Sequence, residues 1–122
     1  MKILLIEDDI QIREPLVQIL ELEQHEVVSA ENGKDAFKIL QNFLPDLIIT
    51  DILMPEMDGY EVLMKMRKTA QFKNVPVLVA SAMAAPYQIT TAKTFGADGY
   101  LTKPFSSTEL FLEIDRIMAL NQ

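Results

Sequence analysis

The sequence predicts a doubly wound α/β domain, and three observations carry that prediction. Short unbroken apolar runs recur at Ile3 to Ile6, Leu47 to Ile49 and Val75 to Ala80, as expected of parallel strands covered on both faces. Segments with helical spacing lie between them. Turn residues sit at the junctions, and strand and helix alternate five times with no linker, repeat or low-complexity tract. Such alternation implies right-handed βαβ crossovers.

Taken in order, Ile3 to Ile6 forms the first strand. Ile12, Leu16, Ile19 and Leu20 mark the first helix, in which Pro15 must sit early or produce a kink. Val27-Val28 is a weaker second strand. Asn32-Gly33 opens the second helix, whose stripe is Ala36, Phe37, Leu40, Phe43 and Leu44. Pro45-Asp46 precedes the third strand, and Val62, Leu63 and Met66 mark a short third helix. After Val75 to Ala80, the segment from Pro86 to Phe95 has only a faint apolar stripe. Gly96 and Asp98-Gly99 close it, Tyr100-Leu101 is the fifth strand, and Leu110, Phe111, Ile114, Ile117 and Met118 repeat the helical pattern.

At 122 residues the chain is of single-domain length, 1–122, with enough surface to bury a core. Eleven basic against eighteen acidic residues give a net charge of −7. That balance argues against nucleic acid or an anionic membrane as the main partner, since both need a basic footprint. The absence of cysteine removes disulfides, thiolate metal sites and cysteine nucleophiles, and suits a cytoplasmic protein. The uncharged stretch from Val75 to Ala92 contains Pro76, Ser81, Pro86, Gln88, Thr90 and Thr91, so it reads as a strand and loop rather than a membrane span.

In doubly wound folds chemistry gathers at the carboxyl ends of the strands. The first strand ends in Glu7-Asp8-Asp9, the third in Thr50-Asp51, the fourth in Ala80-Ser81-Ala82 and the fifth in Thr102-Lys103-Pro104. Crowded carboxylates call for a hard divalent cation, and Mg²⁺ suits a small set because it keeps several waters. Lys103 is a compact charge matched to a phosphoryl oxygen. Ser81 offers a hydroxyl, and Asp51 a carboxylate able to attack phosphorus. Other residues have plainer readings. Asp9 is an N-cap, Asp58-Gly59 a turn and helix start, the Met54, Met57, Met64 and Met66 group packing, and His25 a surface loop residue at the opposite end of the sheet.

These residues together resemble the receiver domains of two-component response regulators, of the single-domain chemotaxis type. The matching words are Ile-Glu-Asp-Asp at 6–9, Pro-Asp-Leu-Ile-Ile-Thr-Asp at 45–51, Met-Pro-Glu-Met-Asp-Gly at 54–59, Ala-Ser-Ala at 80–82 and Gly-Tyr-Leu-Thr-Lys-Pro-Phe at 99–105. The resemblance implies a flavodoxin-like fold with strand order 2-1-3-4-5. It also implies Asp51 as phosphoacceptor. Mg²⁺ (or Mn²⁺) would be held by Asp8, Asp51 and the Leu53 backbone carbonyl, with Glu7 acting through water. Ser81 and Lys103 would grip the phosphoryl group, Tyr100 would change rotamer on activation, and the bond before Pro104 would be cis.

The resemblance further implies a histidine kinase or phosphotransfer protein as donor and an unknown downstream protein as target. The switching face would be built from the fourth helix, fifth strand and fifth helix. The chain would act as a monomer or a weak dimer through that face, catalysing only its own phosphorylation and dephosphorylation and carrying no output domain. Leu53 and Met83 occupy positions where family members often carry a polar side chain that orients water, which implies a long-lived phosphorylated state. Three competitors are disfavoured by residues. A phosphorylation-independent receiver usually lacks one of Glu7, Asp8, Asp51, Ser81 or Lys103. An aspartate-nucleophile phosphatase needs an acid where Leu53 stands, and a flavodoxin needs a hydroxyl- and glycine-rich loop where Glu7-Asp8-Asp9 would repel phosphate.

Overall fold

The computed structural model describes residues 1–54 and 56–121. Five strands and five helices alternate along the chain. They are β1 (Lys2–Ile6), α1 (Ile10–Leu22), β2 (Glu26–Ala30), α2 (Gly33–Ile39), β3 (Leu47–Thr50), α3 (Gly59–Lys68), β4 (Val77–Ser81), α4 (Pro86–Thr94), β5 (Gly99–Thr102) and α5 (Ser107–Leu120). The strands form one parallel sheet in the order β2-β1-β3-β4-β5. This is the flavodoxin-like order the resemblance implies.

Alternate residues of each strand feed two separate cores. Leu4, Ile6, Ile48, Val77 and Val79 pack with Ala36, Val62, Leu63, Met66 and Ala92, which places α2, α3 and α4 on one face. Ile3, Leu5, Leu47, Ile49, Leu78 and Ala80 pack with Leu16, Leu20, Leu110, Ile114 and Ile117, which places α1 and α5 on the other. Burial on both faces explains why the strands read as continuous rather than alternating apolar runs.

Helix starts are set by side chains. Asp9 Oδ1 accepts from Gln11 N–H at 2.9 Å, Asn32 Oδ1 from Asp35 N–H at 2.8 Å, and Asp58 Oδ1 from Glu61 N–H at 2.9 Å. Ser106 and Glu109 close a reciprocal pair, each bond at 3.0 Å. The start of α4 is poorer: Ala85 offers no side-chain acceptor, and only its own N–H is held, by Gln88 Oε1 at 3.1 Å. Ala92, in the last turn, is the one buried residue of α4.

Some boundaries depart from the sequence pattern. Pro15 is the sixth residue of α1, beyond its first turn, and α1 continues past it. The second helix stops at Ile39, so Phe43 and Leu44 fall in the loop beyond it, where Leu44 is exposed. The chain turns there to meet β1, with Asp46 N–H donating to the Lys2 carbonyl at 2.8 Å and Lys2 N–H to Asp46 Oδ2 at 2.7 Å. The fourth strand begins at Val77 rather than Val75. Pro76 has no N–H to give the ladder, although its carbonyl still accepts from Ile48 N–H at 3.0 Å.

Candidate functional site

The topology brings the carboxyl ends of β1, β3, β4 and β5 to one edge, and the side chains converge there. Glu7, Asp8 and Asp51 each present a carboxylate oxygen within 4.8 Å of the others. Glu7 is buried, Asp8 exposed and Asp51 half-buried. Lys103 Nζ lies between two of them, hydrogen-bonded to Glu7 Oε1 and, at 2.8 Å, to Asp51 Oδ2. The Lys103–Pro104 peptide is cis.

Charge explains the balance of this cluster. Burial pushes the Glu7 carboxyl above its ordinary value, against the pull of the Lys103 ammonium. Burial would lower the Lys103 pKa, but hydrogen bonds and the negative charge of Asp51 and Glu7 leave it raised. A single ammonium thus pairs with two carboxylates of a cluster of three. The donors are all oxygen, the chain has no cysteine, and its one histidine precedes β2 at the other end of the sheet. That set fits a hard divalent cation rather than a thiophilic one.

Asp51 is held from several sides. Its N–H donates to the Ile6 carbonyl at 3.2 Å, and its Oδ1 accepts from Ile52 N–H at 2.6 Å and Leu53 N–H at 3.3 Å. Buried Thr50 donates from Oγ1 to the Asp51 carbonyl at 2.9 Å. Gly59, at the start of α3, closes on the same peptide: a Cβ there would stand 2.7 Å from Ile52 Cα and collide with the Asp51 carbonyl. Oδ2 is left facing Lys103.

Ser81 is buried at the end of β4, and its Oγ accepts from Met83 N–H at 3.2 Å. The Met83 carbonyl in turn accepts from Tyr100 Oη at 2.6 Å. The Tyr100 ring packs against the α2–α4 core, and burial raises its phenol pKa. Lys103 N–H donates to the Ser81 carbonyl at 2.8 Å, tying the ends of β4 and β5 together. The Leu53 side chain is 65% exposed at the rim, and Met83 is half-buried.

A family profile described as "Response regulator receiver domain" matches residues 3–115. The chain belongs to the response regulator receiver family. It is 36% identical over 117 residues to a "Probable transcriptional regulator ycf27" of Cyanophora paradoxa, covering 96% of this chain and 48% of that protein. It is 38% identical over 117 residues to a "Transcriptional regulatory protein CpxR homolog" of Haemophilus influenzae, covering 96% of this chain and 50% of the other. The receiver chain therefore spans about half the length of these curated relatives. Among solved structures, a putative response regulator from Chloroflexus aurantiacus has a TM-score of 0.92 at 31% identity, covering 97% of both chains. The chemotaxis protein CheY4 of Vibrio cholerae has a TM-score of 0.90 at 33% identity, covering 95% of this chain and 97% of that one. The receiver fold and the place of this domain in two-component systems follow.

The plainer sequence readings also have their places. Asp9 and Asp58 are N-caps, and Met66 is fully buried, with Met54 and Met57 packed against the same core. His25 is half-buried, its Nδ1 3.1 Å from the amino-terminal nitrogen. Leu110 lies in the core, Phe111 packs beside it, and Tyr87 is 70% exposed.

Sequence reading missed Arg67. From α3 its guanidinium donates to the carbonyls of Gly96, Lys73 and Val75 and to Asp98 Oδ2, at 2.6 to 3.2 Å. Asp98 Oδ2 also accepts from Val77 N–H at 2.8 Å. Gly96, with φ +110°, lies against the Arg67 side chain. The carboxyl end of α4 is therefore fastened to α3 and β4, while its amino end is weakly capped. Among the described residues no helix is long and apolar enough to cross a membrane.

Proposed function

We propose that this receiver takes a phosphoryl group onto Asp51 from a phosphohistidine of a kinase or phosphotransfer protein. The observation that carries the reading is the convergence of Glu7, Asp8 and Asp51 at one sheet edge, with Lys103 paired to Glu7 and Asp51. Asp8, Asp51 and the Leu53 carbonyl would hold a divalent cation, Mg²⁺ or Mn²⁺, with Glu7 contributing through water. Once bound, the cation supplies positive charge that lets an anionic nucleophile meet an anionic phosphoryl group.

The chain's own residues account for the rest. Two main-chain N–H groups occupy Asp51 Oδ1, so Oδ2 attacks phosphorus. The new Oδ2–P bond forms as the donor's P–N bond breaks, and that electron pair returns to the imidazole nitrogen. Lys103, already 2.8 Å from Oδ2, follows the incoming oxygens and offsets their charge. The product carries about −1.5 to −2 where −1 stood before.

Ser81 Oγ turns its hydroxyl towards the new oxygens. Because Ser81 is bonded to Met83, and Met83 to Tyr100, that movement reaches β5 and the loosely capped end of α4. A local electrostatic event thereby biases a two-state element. The domain is a switch that catalyses only its own phosphorylation and dephosphorylation.

The face formed by α4, β5 and α5 is the output surface for a downstream protein or a second copy. A depression of about 430 Å³ there is lined by Ile89 and Tyr100 with Lys93, Asp98, Glu113 and Arg116. A mainly polar lining of mixed charge suits a weak two-fold pairing as well as a foreign partner. The acidic, cysteine-free composition supports a cytoplasmic setting without nucleic acid or membrane as partner. The metal requirement tests the reading. With a small phosphodonor, Mg²⁺ should permit phosphoryl uptake and a chelator should abolish it; uptake indifferent to chelation would overturn it.

A further inference from the structure

Arg13 stands in the first turn of α1, where the helix dipole disfavours a cation. Its side chain is only 11% exposed, although arginine is seldom buried without a strong partner. The nearest carboxylate does not account for this. Glu31 Oε1 is 3.9 Å away on a side chain 69% exposed, a pairing worth little in water.

The close contact is with main chain. Arg13 Nη1 donates to the Glu7 carbonyl at 2.8 Å, and that carbonyl lies in the peptide plane joining Glu7 to Asp8. On its other side, Glu7 N–H donates to the Ala30 carbonyl at 3.0 Å. The main chain of Glu7 is thus gripped by β2 at its amide and by α1 at its carbonyl. Beyond this point the chain leaves the sheet, and Asp8 is exposed with no ladder to hold it.

We propose that Arg13 is a positioning residue for the cation site, fixing the Glu7–Asp8 peptide and so the direction of both carboxylates. It rests on the metal reading above and adds a residue to it. The guanidinium charge itself opposes a nearby cation, so its benefit is geometric. Outer partners that orient ligands typically change metal affinity by about 10- to 100-fold when removed.

The test is titration of the full chain with MgCl₂ alone by calorimetry, beside urea unfolding of each variant. Arg13→Met should weaken Mg²⁺ binding roughly tenfold. Arg13→Lys, which keeps one donor, should recover most of that loss, and Glu31→Gln should bind as wild type does. Should Arg13→Met fail to fold, Arg13→Ala against Arg13→Lys makes the same comparison. Wild-type affinity without a donor at position 13, or an equal loss in Glu31→Gln, overturns the proposal. A wild-type chain that binds no Mg²⁺ overturns the metal reading itself, and this proposal with it.

Discussion

Tyr100 Oη donates to the main-chain carbonyl of Met83 at 2.6 Å, and the N–H of the same Met83 donates to Ser81 Oγ at 3.2 Å. One residue of the β4–α4 loop therefore connects the hydroxyl of the site to the aromatic ring of β5. Removing the phenol should loosen that connection by about 1 kcal/mol, the net worth of one hydrogen bond. Tyr100→Phe is expected to take up phosphoryl as before while the phosphorylation-dependent change in amide exchange across α4 diminishes. An undiminished change in α4 would count against this route.

Gly59 has no room for a side chain, because a Cβ would meet the Asp51 carbonyl and Ile52 Cα. Gly59→Ala must push the first turn of α3 away from β3 or shift the Asp51 peptide. It should lose about 1–3 kcal/mol of stability in urea unfolding, the usual cost of overpacking. Phosphoryl uptake should slow as Asp51 moves. Full stability with full uptake would show that the contact relaxes freely.

His25 links stability to mild acid. Burial and the neighbouring amino terminus hold its pKa below the ordinary 6.5, so the folded state binds fewer protons than the unfolded state between the two values. Stability from this group is fully present above the unfolded pKa and is lost as pH falls through the folded one. His25→Gln should flatten the dependence of urea unfolding on pH below 6.5. An identical slope in the variant would remove His25 from the account.

Leu53 and Met83 stand two residues beyond Asp51 and Ser81, and neither side chain carries a group that could orient an attacking water. Leu53→Asn, at an exposed rim position, should speed loss of the phosphoryl group several-fold, well short of a full general base. Equal or slower loss in the variant would contradict the long-lived state assigned to this chain.

The legible parts of the fold were those set locally. Ile3 to Ile6 and Leu47 to Ile49 read as strands because both faces are covered, and Asn32, Asp58 and Asp9 cap the helices they precede. The end of the second helix was not legible. Phe43 and Leu44 continue its spacing, but the loop is bound to Lys2 of β1, a contact across forty-four positions. Glu7, Asp8, Asp51, Ser81 and Lys103 could be picked out because topology sends strand ends to one edge.

Arg67 and Arg13 were not legible for a different reason. Each looks like an ordinary helical base, and each acts mainly on main-chain carbonyls. Carbonyls are present at every residue, so no residue pattern announces such a partner. The acidic excess was informative in another way. Glu7, Asp8 and Asp51 bring three negative charges to the pocket and Lys103 one positive charge, so −2 of the chain's net −7 lies there.

The central claim is that Asp51 accepts the phosphoryl group, and intact mass with peptide mapping tests it most directly. Wild type incubated with Mg²⁺ and a small phosphodonor should gain one phosphoryl group, located on the peptide containing Asp51, and Asp51→Asn should gain none. No adduct on the wild type, or an adduct that persists in Asp51→Asn, would contradict the account.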